Sequence, residues 1–204
     1  MGRKKKKNKV KFNIKNVHWA KRTVSEEGAV SYGTVVAMPG AVSVSLEAQG
    51  DLSAFYADGV KYYVASSNTG YEGDLEIALV EDDFRIEILQ EEMDKNKVLF
   101  ENANTEAQAF ALAFEIDGDQ NGTRFWFYNC TATRPSTESS TNEESKEPAT
   151  DKLTISCAAD ENGYVRAKTT ADTDETVFSK WFDEVYQKTD TDAASNTAST
   201  QKSN

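Results

Sequence analysis

The chain has 204 residues, 38% hydrophobic and 10% aromatic, with a formal net charge of −11, which fits one globular domain with arms. The charge is polarised: residues 1–22 hold ten Lys or Arg and no acid, leaving 13 basic against 34 acidic residues, a net of −21, in the remainder. Such an acidic body repels phosphate backbones and argues against a nucleic-acid-binding function, and no run of about 18 apolar residues exists to span a membrane.

Residues 1–8 read as a disordered basic arm, either solvated or docked on an acidic neighbour. Lys9, Lys11 and Lys15 interrupt every apolar stretch after it, so no signal peptide is indicated and a cytoplasmic start is expected. Residues 10–20 alternate Val10, Phe12 and Ile14 with Lys11, Asn13 and Lys15, a strand closed by Trp19. Residues 30–36 and 41–46 read as two short strands about the Pro39-Gly40 turn, with Val42, Val44 and Leu46 sharing a face. Residues 47–59, with two glycines and mixed polarity, read as an extended loop. That loop carries Leu52, Phe55 and Tyr56, which must fold back onto the core or dock elsewhere. Residues 60–65 are a strand by composition.

Residues 71–93 organise the chain. In 71–80, Leu75, Ile77 and Leu79 alternate with Glu72, Asp74 and Glu76, giving a strand with one apolar and one carboxylate face. A helix follows, capped by Asp82 or Asp83. Phe84 and Ile88 lie on one of its sides, Ile86, Leu89 and Met93 on nearly the other, the pattern of a sandwiched helix. The seam is either intramolecular or shared with another subunit. Phe110, Leu112, Phe114 and Ile116 then face away from Ala109, Ala111 and Ala113. The returning strand alternates Phe125 and Phe127 with Trp126, Tyr128 and Cys130, so this hairpin belongs in the middle of a layered structure. Residues 134–150, polar and bounded by Pro135 and Pro148, read as a mobile excursion. Residues 153–157 and 164–169 read as a second hairpin about Asn162-Gly163. Asp172 and Glu175 then suit the start of a C-terminal amphipathic helix whose Val177, Phe178, Trp181, Phe182, Val185 and Tyr186 pack on a sheet. Residues 188–204 read as a disordered polar tail.

Chemistry is weakly signalled. Asp117-Gly118-Asp119-Gln120-Asn121-Gly122 fits the first half of a calcium loop, but its twelfth position is Tyr128 instead of glutamate, and a hairpin turn explains the same residues. His18 is the only histidine, and no nucleophile-elbow, phosphate-loop or zinc-protease motif occurs. Abundant carboxylates leave a glycosidase pair open without singling out two of them. Cys130 and Cys157 are too few for a disulfide framework or zinc site; they read as buried free thiols, with a single bridge as the alternative. No enzyme activity, cofactor or metal is expected.

Several whole phrases carry a resemblance. They include Pro39-Gly40-Ala41-Val42-Ser43, Phe55-Tyr56-Ala57-Asp58, Tyr62-Tyr63-Val64-Ala65 and Gly70-Tyr71-Glu72-Gly73-Asp74-Leu75-Glu76-Ile77-Ala78-Leu79. Asp82-Asp83-Phe84-Arg85, Tyr128-Asn129-Cys130-Thr131-Ala132-Thr133-Arg134-Pro135 and Trp181-Phe182-Asp183-Glu184-Val185-Tyr186 follow in order. Over residues 9–187 the chain resembles the major tail (tail tube) proteins of long-tailed, siphovirus-type bacteriophages. The resemblance implies a β-rich domain with a flanking helix, assembled as hexameric rings stacked into a hollow tube. DNA passes through that tube without specific binding. The implied location is the virion tail, built in the host bacterial cytoplasm, with the tape measure protein and other tail proteins as partners.

The expected fold is mainly β (α+β): a β-sandwich or partly open barrel of antiparallel strands, one central flanking helix and a C-terminal amphipathic helix. On the tube reading Glu72, Asp74 and Glu76 face the lumen, six copies placing about 18 carboxylates in a band whose field is screened over about 8 Å. Leu52, Phe55, Tyr56, Phe84 and Ile88 are the expected inter-subunit contacts, and 47–59 and 134–150 the expected ring-to-ring contacts. The alternative is a self-contained β-sandwich binding or decoration module of a virion or cell surface. It shares the strand pattern but does not polymerise.

Overall fold

Alternation of apolar and polar residues dominates the sequence, and antiparallel strands dominate the structure. The computed structural model describes residues 6–137 and 148–189. In chain order the strands are β1 (Lys11–Val24), β2 (Val30–Tyr32), β3 (Val36–Ala37), β4 (Ala41–Gln49), β5 (Leu52–Ala57), β6 (Val60–Ser66) and β7 (Gly70–Ile77). Helix α1 (Asp82–Glu87) precedes β8 (Glu92–Met93), β9 (Leu99–Phe100), β10 (Phe110–Gly118), β11 (Thr123–Ala132), β12 (Asp151–Ala158), β13 (Arg166–Lys168) and α2 (Glu175–Ser179).

The main sheet runs β2-β1-β10-β11-β12-β7-β4, with β3 beside β1 and β13 beside β11. Its far strands β1 and β4 approach each other without pairing, so the architecture is an antiparallel, sandwich-like open barrel and not a closed one. Two apolar layers hold it. Inside lie Trp19, Leu75, Ile77, Phe110, Leu112, Phe114, Phe127, Leu153 and Ile155. On the opposite face of β1, β10 and β11, Ala20, Ala111 and Ala113 leave a flat floor on which Trp126, Tyr128, Trp181 and Val185 pack. The split of β10 into large and small faces follows its sequence alternation.

Several expectations change. The 30–36 strand is two pieces, β2 and β3, both on β1. Residues 47–59 are not a loop: β5 and β6 form a hairpin. Asp58 (φ +53°) and Gly59 (φ +74°) make its two-residue turn, both in the left-handed region that an Asp-Gly pair tolerates. The 153–157 and 164–169 stretches do not pair with each other; β12 and β13 both pair with β11, sharing its outer edge. Val42 is exposed, because a register shift between Ala41 and Ser43 turns it away from the core face kept by Ala41, Val44 and Leu46. Leu79 is exposed as well: β7 ends at Ile77, and Val80 takes the buried position.

Helix α1 is shorter than its apolar pattern predicted. Glu81, not an aspartate, is its N-cap, Asp82 and Asp83 sit in the first turn, and Gln90 at φ +60° breaks any continuation towards Met93. Phe84 and Ile88 are 1% and 0% exposed. Phe84 stands edge-on to Trp19 at 5.4 Å and to Phe110 at 5.3 Å. Leu89 is buried in the same layer. The seam is intramolecular, and Phe84 and Ile88 are corrected from inter-subunit contacts to core.

The C-terminal helix is likewise a single short element. Asp174, not Asp172, caps it, accepting from Thr176 N at 2.8 Å. The expected packing is kept by the turns that follow. Trp126 Nε1 donates to Trp181 O at 2.9 Å and Tyr128 Oη to Tyr186 O at 2.8 Å. The Arg124 guanidinium lies over Phe178 at 4.0 Å, donates to Phe178 O, and donates through Nε to Glu115 Oε2 at 2.9 Å.

Candidate assembly site

Two surfaces converge on the β4–β7 hairpin, one polar and one apolar. On β7, alternation sends Leu75 and Ile77 inward and Glu72, Asp74 and Glu76 outward onto one face. Register then builds a wall three strands wide. Ser43, Ser45 and Glu47 of β4 stand opposite Glu76, Asp74 and Glu72, and Lys152, Thr154 and Ser156 of β12 flank the same three acids from the other side. Glu76 accepts from Thr150 Oγ1 at 2.6 Å and Ser43 Oγ at 2.9 Å. Asp74 pairs with Lys152 Nζ at 2.8 Å and accepts from Thr154 Oγ1 at 2.9 Å. Lys152, then Thr154, hold the Asp74 carboxyl below its ordinary pKa; Thr150, then Ser43, do so for Glu76. Four carboxylates against one lysine leave the wall negative. Gly73 lets β4 come this close: a Cβ there would sit 1.7 Å from Ser45 O.

The same two strands run on into the apolar arm. Ser67 N donates to Asp51 O at 2.9 Å and Thr69 N to Gln49 O at 3.0 Å, so β4–β5 and β6–β7 are one long ribbon. Beyond the main sheet, among the described residues, β5 and β6 pair only with each other. A six-residue strand extends about 20 Å. Leu52, Tyr56 and Val64 occupy one face, Phe55, Val60 and Tyr63 the other, and Tyr62 sits at a bulge. Their exposures run from 44% (Val64) to 77% (Leu52). All of β6 is exposed. Leu52, Phe55 and Tyr56 thus stand on the surface, joined by Val60, Tyr62, Tyr63 and Val64, whose composition alone indicates an ordinary strand. The Asp58-Gly59 turn signal between two apolar runs was there to reveal them. Strand β4 also ends the main sheet, so its outer edge is unpaired among the described residues.

The remaining candidates make contacts within the fold. Lys15 pairs with Asp117 at 2.5 Å, and Lys9 N donates to Asp119 Oδ1 at 2.7 Å. Asn8 Oδ1 accepts from Gln120 N and Asn121 N at 3.1 and 2.8 Å, so the described end of the basic arm is seated on its own β10–β11 turn. Residues 1–5 of that arm, 138–147 of the excursion and 190–204 of the tail lie outside the described residues. His18 stacks on Phe182 at 4.4 Å; burial holds its pKa below the usual value. Among the described residues no three His, Cys, Asp or Glu converge to hold a metal ion, and no helix is long and apolar enough to cross a membrane. Compared with protein-family profiles and with curated sequences, the chain gives no match.

Proposed function

We propose that this chain is a self-assembling virion subunit, a tail tube protein of a long-tailed bacteriophage whose stacked hexameric rings enclose a DNA conduit. The observation that carries this reading is the two-faced apolar ribbon β5–β6. Its seven large side chains expose roughly 800 Å² in total, at about 150–250 Å² per aromatic, divided between two opposite faces of one ribbon. A ribbon apolar on both faces is satisfied only between two surfaces, and copies of the chain supply them in a stack. The unpaired β4 edge offers a second contact, because edge-to-edge pairing around a ring removes exposed edges. Glu47, Glu72, Asp74 and Glu76 lie beside that edge. In a closed ring they would line the bore, where negative charge keeps DNA from adhering.

Negative-stain microscopy of the purified chain at high concentration and low ionic strength tests the proposal. Hollow rods of uniform width are expected; monodisperse particles of subunit size overturn it and favour the self-contained binding module.

A further inference from the structure

We propose that Cys130 and Cys157 are a disulfide-forming site that staples β11 to β12. A β-bulge creates the site. Phe110 opposes Cys130 and Leu112 opposes Phe127, so β11 carries one extra residue between Phe127 and Cys130. Simple alternation places Cys130 on the Trp126 face; the bulge turns it into the inner core, directly opposite Cys157. Thr133 N donates to Thr154 O at 2.9 Å. Hydrogen-bonded pairs therefore fall at 133/154, 131/156 and 129/158, and the two cysteines occupy a non-hydrogen-bonded pair. Opposed Cα atoms at such a position are about 4.5 Å apart with side chains at their closest, within the roughly 4.4–6.8 Å that a disulfide spans. Both thiols are free, 0% and 1% exposed, and Cys130 Sγ donates to Cys157 Sγ.

Burial, and then the contact with Cys157, push the Cys130 thiol well above its ordinary pKa. The closed fold therefore protects the reduced pair, and oxidation proceeds through local opening. A small disulfide such as oxidised glutathione is the oxidant. One cysteine thiolate attacks it, forming a mixed disulfide and releasing one small thiol. The second cysteine displaces the other small thiol, so the pair loses two electrons and its two protons end on the released thiols. The bridge joins positions 27 residues apart and constrains the unfolded chain.

The test is incubation of the full chain with oxidised glutathione at mildly alkaline pH, with low urea to permit opening. Expected are a fall from two titratable thiols to none, a mass lower by two hydrogens, and a Tm raised by about 10 °C and reversed by dithiothreitol. Cys157→Ser should show no such gain. Two retained thiols, two bound glutathiones, disulfide-linked dimers or an unchanged Tm would each overturn the assignment.

Discussion

Truncating the ribbon aromatics isolates the contribution of β5–β6 from that of the fold. Phe55 and Tyr63 are directly paired on one face and are 62% and 63% exposed. With about 200 Å² per aromatic side chain, each leaves about 125 Å² to be covered by a neighbour. At about 25 cal/mol per Å², covering that area contributes up to about 3 kcal/mol per side chain, or about 100-fold in the subunit addition constant. Phe55→Ala and Tyr63→Ala are therefore each expected to raise the critical concentration for rod formation by as much as about 100-fold. Leu52→Ala, on the opposite face, should raise it independently. Because these residues are exposed in the subunit, its own stability should stay within about 0.5 kcal/mol of wild type. Pelleting across a concentration series reads the first quantity and urea unfolding the second. Unchanged critical concentrations, or variants that unfold instead of failing to assemble, would refute the reasoning.

Other substitutions test the elements around the arm. Gly73→Ala forces a Cβ against Ser45 O and should cost at least about 2 kcal/mol in urea unfolding; a neutral result would mean that β4 does not lie this close. Among the described residues, Arg124→Met leaves Glu115, 5% exposed, with Lys15 at 3.5 Å and Asn16 at 3.2 Å and removes the stacking over Phe178. A loss of about 3 kcal/mol is expected, with faster amide exchange in residues 175–186; a loss below about 1 kcal/mol would contradict it. Asp74 and Glu76 have depressed folded-state pKa values, so the stability they add is present above the ordinary carboxylate pKa of about 4 and lost as pH falls through their folded values. NMR titration should place both midpoints below the ordinary values, and Lys152→Met should move the Asp74 midpoint up. Replacing Glu72, Asp74 and Glu76 together with lysine should leave rods intact and impair DNA ejection; unimpaired ejection would remove the lumen assignment.

The inner faces of β7 and β10 were legible in the sequence because period-two patterning acts locally. The same holds for the packing residues of the C-terminal segment, Trp181 and Val185. What failed to show were the bulges. One extra residue after Phe127 moves Cys130 to the other side of the sheet, and a shift after Ala41 exposes Val42; neither leaves a mark in apolar alternation. The sequence pattern overextends helix α1 because Phe84, Ile88, Leu89 and Met93 keep a helical spacing that the left-handed Gln90 interrupts. The ribbon is hidden in the sequence for a different reason. Leu52, Phe55 and Tyr56 need cover, but the glycines at 50 and 59 read as loop signals. In the structure Gly50 lies where the ribbon leaves the main sheet and Gly59 closes the Asp-Gly turn at its tip. The acids of β7 were found correctly as one face, while Glu47 and Lys152 joined them only through register.

The most direct measurement is a cryo-electron microscopy reconstruction of the polymer formed by the purified chain. A tube is expected in which both faces of β5–β6 are covered by neighbouring copies and Glu72, Asp74 and Glu76 point into the bore. A particle that leaves the ribbon bare, or a tube that carries those three acids on its outside, would contradict the proposed role.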